Sequence, residues 1–199
     1  MSNDVTVLVS ELRQDHNNMR LLLDLLEREA NRLFDGHEPD YEMLHDILQY
    51  MTTYPDGVHH PKEDLLYDEI RAVRPDLSSG FQRISVDHRR LGDAGRAVRD
   101  KLAAIAAGAM VERKDTVAEA LRYVNALRSH MQWEELDLFR RCLKMAREGH
   151  QFVRLEDVEA IEDPLFGSSV AINFERLYQH IRRAGKESVT AVDGSHAVI

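Results

Sequence analysis

The sequence predicts an all-α protein: an up-down-up-down antiparallel four-helix bundle with a C-terminal helical extension. Three observations predict it. Proline and glycine are scarce, 5 and 10 of 199 residues, and gather at Gly36–Pro39, Tyr54–Pro61, Pro75–Gly80, Gly108 and Pro164–Gly167. The stretches between them are rich in Leu, Ala, Glu and Arg and lack strand-like alternation. Within them, apolar residues recur in steps of three and four, the spacing of one helix face.

The first segment carries Val9, Leu12, His16, Met19, Leu23, Leu26, Ala30 and Leu33 on one seam, with His16 at a seam position. The second runs from near Asp40 to about Val73. It is expected to bend or break between Tyr54 and Pro61, because each proline removes a backbone donor. Past the break His59, Glu63, Leu66, Ile70 and Val73 share a face. The third segment carries Phe81, Ile84, His88, Leu91, Gly95, Val98, Leu102 and Ile105, again with a histidine on the seam. In the fourth, Ala120, Leu127, His130, Glu134 and Leu138 share a face, and Thr116 with Glu119 reads as a capping box at its start. Short connections between four such helices predict antiparallel neighbours.

Residues 1–149 are therefore read as the bundle. Residues 150–185 form a helical extension of the same domain: a short helix over Leu155–Ile161, a turn at Asp163–Gly167, and an amphipathic helix bearing Val170, Phe174, Leu177, Ile181 and Ala184. That last helix is expected to cover the bundle or to make a homodimer contact. Residues 186–199 read as a flexible tail.

Composition narrows the function. With 35 acidic against 26 basic side chains the net charge is −9, which argues against nucleic acid or an anionic membrane as partner. No stretch reaches the roughly 18 apolar residues of a membrane span, and no signal peptide is evident. The single cysteine, Cys142, excludes a disulfide scaffold and an all-thiolate zinc site, and it reads as a small helix residue in a reducing, cytoplasmic setting. Ten histidines are the unusual feature.

Four of them fall on helix seams. His59 and Glu63 are spaced i, i+4, and His130 and Glu134 repeat that spacing 71 residues later. Asp15-His16 and Asp87-His88 are likewise offset by 72, which suggests an internal duplication. Counting from the predicted connections, at about 1.5 Å per residue, places all four histidines in one layer to within about a turn. Buried carboxylates must be paired or bind metal. Four imidazoles with two carboxylates therefore predict a binuclear transition-metal site, with Glu63 and Glu134 able to bridge two ions of iron, manganese or zinc. Asp15, Asp87 and Asp137 are candidates for orienting the ligand histidines. His60, adjacent to His59, would exchange with it on a one-residue slip, but His59 has the spacing that matches His130. Tyr54 could reach a metal but reads more simply as a core residue. His37, His45, His150, His180 and His196 read as surface.

The motifs DHNNM at 15–19, HHPKEDLL at 59–66, DHRRL at 87–91 and HMQWEELDLF at 130–139 resemble those of the hemerythrin-like, HHE cation-binding family. The resemblance implies a four-helix bundle holding two non-haem irons on His16, His59, Glu63, His88, His130 and Glu134. It also implies a small diatomic, dioxygen or nitric oxide, or peroxide as the exogenous ligand. Two features depart from the oxygen-carrying members: Gly92 stands where those have a second third-helix histidine, and the fourth motif is HxxxE rather than HxxxxD. The set of four histidines is closer to relatives that repair iron–sulfur centres.

Overall fold

In a computed structural model that describes residues 4–150 and 158–194, every regular element among the described residues is helical. Seven α-helices follow one another: α1 (Asp4–Phe34), α2 (Tyr41–Met51), α3 (His60–Val73), α4 (Ile84–Ala106), α5 (Arg113–Trp133), α6 (Phe139–Arg147) and α7 (Glu175–Gly194). The expected break in the second segment is a π-helical turn over Pro55–His59 that joins α2 to α3, and a second π turn, Glu134–Leu138, joins α5 to α6.

The helix ends follow from local chemistry. Gly36 and Gly108 close α1 and α4 with φ of 83° and 85°, a left-handed conformation that costs glycine nothing. His37 N–H then bonds Arg32 C=O, and Ala109 N–H bonds Ala104 C=O, satisfying the last carbonyls. Asp40 caps α2 by accepting from Met43 N–H at 2.9 Å. The expected capping box of the fourth segment is not formed. Helix α5 starts four residues earlier, with Glu112 at the cap position, and the buried Thr116 hydroxyl donates to Glu112 C=O instead.

Helix α1 packs along α5, α2 along α4, and α4 along α5, while α6 returns to α1. The apolar interior divides into two clusters. One holds Met19–Leu33 of α1, Met43–Tyr54, Leu91–Leu102 and Val117–Met131; the other holds Val5–Leu12, Leu66–Ile70, Phe81, Ile84 and Leu138–Met145. Each of the four segments crosses from one cluster to the other at a buried polar layer. The sequence places a histidine or glutamate at that crossing every time.

The extension lies against α2. Tyr50 donates its hydroxyl to Asp163 Oδ2 at 2.7 Å and packs its ring edge-on to Phe174, and Arg176 pairs with Asp46 and Glu42. Leu165 and Leu177 are fully buried, so this segment covers the molecule's own surface. The turn at Asp163–Gly167 is present; of the short helix expected over Leu155–Ile161, residues 155–157 lie outside the described ones and 158–161 are not helical. Helix α7 runs on into the stretch read as tail, whose last residues, 195–199, lie outside the described ones.

Candidate metal centre

The buried polar layer holds His16 from α1, His59 from the first π turn, Glu63 from α3, His88 from α4, His130 from α5 and Glu134 from the second π turn. All six are buried, and the structure brings all six together. Their facing atoms lie at 3.2–3.7 Å, beyond hydrogen-bond length for most pairs but close enough to share an ion. Glu63 Oε1 is 3.4 Å from His59 Nε2 and 3.7 Å from His16 Nε2, while its Oε2 is 3.4 Å from His88 Nε2. Glu134 Oε2 is 3.5 Å from His16, and its Oε1 lies 3.6 Å from His88 and 3.2 Å from His130.

Eight buried atoms of these residues have no hydrogen-bond partner: Nε2 of His16, His88 and His130, all four carboxylate oxygens of Glu63 and Glu134, and on the outer side His88 Nδ1. Polar groups left so in a core cost roughly 1–3 kcal/mol each, more when charged. A native fold does not leave that many orphaned around one point without a partner for them. Metal binding by imidazole and carboxylate donors would give such atoms their partners. Triplets of donors close enough to hold an ion are His16/His59/Glu63, His88/His130/Glu134 and His60/Glu63/His88.

Without metal, protons do part of that work. Burial opposes charge on His16, His59 and His88, yet the facing carboxylates raise all three, His88 to about 10. Burial likewise opposes ionisation of Glu63 and Glu134, and the imidazoles around them hold both below the usual carboxylate range.

The π turns shape the site. A π turn places residues five apart on one face, where an α-helix would separate them. Tyr54 and His59 thereby reach the same carboxylate: Asp15 Oδ1 accepts from the tyrosine hydroxyl at 3.3 Å, and Oδ2 lies 3.0 Å from His59 Nδ1. Tyr54 is thus a core residue on Asp15 and bonds no metal-facing group. In the second turn, Glu134 faces His16 while Phe139 stacks on the same ring at 5.4 Å. Proline at 55 signals the first turn in the sequence; nothing comparable signals the second.

Of the three aspartates expected to orient ligands, only Asp15 does. Asp87 pairs with Arg83 at 3.4 Å, and Asp137 is held by a two-point contact from Arg141. An arginine one turn away in each helix outcompetes a distant imidazole. The orienting group that sequence reasoning missed is Glu135, whose Oε1 lies 2.9 Å from His16 Nδ1 and 2.8 Å from Arg20. Its signal was the repeat itself, since Glu135 corresponds to Asp64 at the same offset of 71.

His59 and His60 both reach the layer. His60 stacks flat on His88, with ring centres 3.8 Å apart, and its Nδ1 lies 3.4 Å from Asp56, which pairs in turn with Arg96. Burial depresses His60 to about 4, so it is neutral near pH 7. Gly92 leaves the space that Asp56 and Arg96 occupy, for a Cβ there would stand 3.0 Å from Asp56 Oδ2. Cys142 is buried in the core, where burial pushes its thiol up, as expected of a packing residue. Among the described residues no helix is long and apolar enough to cross a membrane.

No curated protein and no solved structure matches the chain. The family model described as the hemerythrin HHE cation binding domain matches residues 7–142, a span that contains all six converging side chains. The chain belongs to the hemerythrin HHE cation-binding family.

Proposed function

We propose that the chain is a non-haem di-iron protein that binds dioxygen or another small diatomic for storage or sensing. The site is His16, His59, Glu63, His88, His130 and Glu134, with both glutamates bridging. The carrying observation is how the carboxylates divide their oxygens. Glu63 turns Oε1 to the His16/His59 side and Oε2 to His88, and Glu134 turns Oε2 to His16 and Oε1 to His88 and His130. Each glutamate thus offers one oxygen to each of two positions, and each position has two imidazoles. Iron suits these donors, as do manganese and zinc. An up-down-up-down antiparallel course of the four segments belongs to this reading, supported by their short connections and by the common level of the four histidines.

When bound, an iron or manganese pair would supply redox-active centres able to take a small exogenous ligand. The chain's own residues do the rest. Asp15 accepts from His59 Nδ1–H and Glu135 from His16 Nδ1–H, which directs each Nε2 lone pair into the layer. The two apolar clusters above and below exclude water.

A second reading, an enzyme acting on nitric oxide or peroxide or an iron donor in stress repair, is favoured by one observation. Beside His130 lies a cleft of about 290 Å³ lined by Arg83, Asp87, Arg90, Leu91 and Trp133, which gives a small reactant room next to a ligand imidazole. Anaerobic iron titration followed by exposure to oxygen, nitric oxide and peroxide separates the two. A reversible optical change with oxygen supports the binding protein. Rapid consumption of peroxide or nitric oxide, abolished by Glu63→Ala, replaces it with the enzyme.

A further inference from the structure

The duplicated sequence supplies four carboxylates in positions to back the four imidazoles: Asp15 and Asp87 by one offset, Glu135 and Asp64 by the other. Only two do so. In the first half, Asp15 lies 3.0 Å from His59 Nδ1 and Glu135 lies 2.9 Å from His16 Nδ1. In the second half, Asp64 stops 3.8 Å from His88 Nδ1, which is left with no hydrogen-bond partner. Asp87 turns to Arg83, and no side chain among the described residues hydrogen-bonds the outer nitrogen of His130. Exposure follows the same division: His16 and His59 are 0% and 1% exposed, against 6% and 9% for His88 and His130. His130 lines the cleft with Arg83 and Arg90, and His88 lines a second depression with Ser85 and Arg89.

We propose that the two metal positions are inequivalent, with Asp15 and Glu135 fixing the ion at His16/His59 and the ion at His88/His130 left exchangeable. The inference rests on the binuclear reading above. A carboxylate behind a ligand imidazole locks the ring's orientation and raises its basicity, and its removal typically weakens metal binding about 10–100-fold. The first position has two such braces, and the cavity of about 510 Å³ beside it reaches Asp15 but neither imidazole. The second has none and borders two surface depressions. Asp15 and Glu135 are positioning residues, acting through the histidines they hold.

The test loads the full chain with ferrous iron anaerobically and follows its release into excess ferrous chelator. Release is expected in two phases of equal amplitude, separated by about tenfold or more in rate. Asp15→Asn and Glu135→Gln should each accelerate the slow phase by about tenfold and leave the fast phase unchanged. Glu135 lies partly at the surface, so its variant folds even if the Asp15 variant does not. Asp64→Glu, one methylene longer and able to close the gap to His88, should slow the fast phase. Single-phase release of two irons per chain, or variants that speed both phases equally, overturns the inference and leaves the binuclear reading standing. Saturation at one iron per chain overturns both.

Discussion

The His16/His59 half of the centre and the His88/His130 half derive from one repeated pattern, yet they sit in different surroundings. Each contributes one histidine from a DH pair and one from an HxxxE motif. Behind the first pair stand Asp15 and Glu135; behind the second stand an unpartnered Nδ1, a stacked His60 and a cleft. The difference teaches that the inward-facing donors of a duplicated site are copied more strictly than the groups behind them. An inward-facing donor is held to the common layer, whereas an aspartate behind it is free to be captured by a nearby arginine, as Asp87 is by Arg83.

The comparison breaks most severely if the shared residues prove to belong to one half. If both glutamates bridge as proposed, Glu63→Ala or Glu134→Ala removes an oxygen from both positions at once, and metal per chain after loading and gel filtration should fall from about two to below about one. A variant that retains one firmly bound ion would show that its glutamate serves one side only.

A smaller effect should distinguish the halves without metal. His59→Ala strips Asp15 of its imidazole and leaves a buried carboxylate with only the Tyr54 hydroxyl, whereas His130→Ala opens toward a cleft and strands no brace. The first should cost the metal-free protein about 2 kcal/mol more than the second in urea unfolding. Equal costs would mean that the Asp15 contact contributes little.

The gentlest test is pH. In the metal-free protein His88 is raised to about 10, so its contribution is complete below its ordinary value of 6.5 and is lost as pH climbs through 10. His60, depressed to about 4, contributes fully above 6.5, and that stability is lost as pH falls through 4. Stability of the metal-free protein should therefore peak near pH 6.5 and decline on both sides. In the loaded protein the alkaline decline should vanish if, as proposed, a metal takes the place of the proton on His88. A flat profile from pH 6.5 to 10 in the metal-free protein would overturn this account of His88.

Much of this arrangement was legible beforehand. The seams of steps three and four mark the long helices, and a histidine interrupting each seam marks the layer, because a polar residue at a buried position requires a reason. Spacing alone places Glu63 with His59 and Glu134 with His130. What stayed hidden depends on choices between competing partners. Whether Asp87 faces an imidazole or Arg83, and whether Glu135 crosses to α1 or stays on its own helix, is decided by three-dimensional distance. The stack of His60 on His88 was hidden for a similar reason, since a strict α-helix through 59 and 60 would turn one of them away. Helix α5 beginning at Arg113 rather than at the Thr116 box shows how weakly a cap motif competes once its threonine is wanted in the core.

The π turn at Pro55–His59 has a consequence for chain length. One inserted residue sets the rotational phase of α2 against α3, so the number of residues between Tyr54 and His59 matters as much as their identity. Deleting one would turn everything upstream by about 100° relative to the ligand pair. Tyr50 would swing away from Asp163 and Arg176 would lose Asp46, the contacts that seat the C-terminal extension. The extension and the ligand layer are thus geared together through the pitch of a single helix and through the stacked Tyr50 and Tyr54 rings, which reach Asp163 on one side and Asp15 on the other.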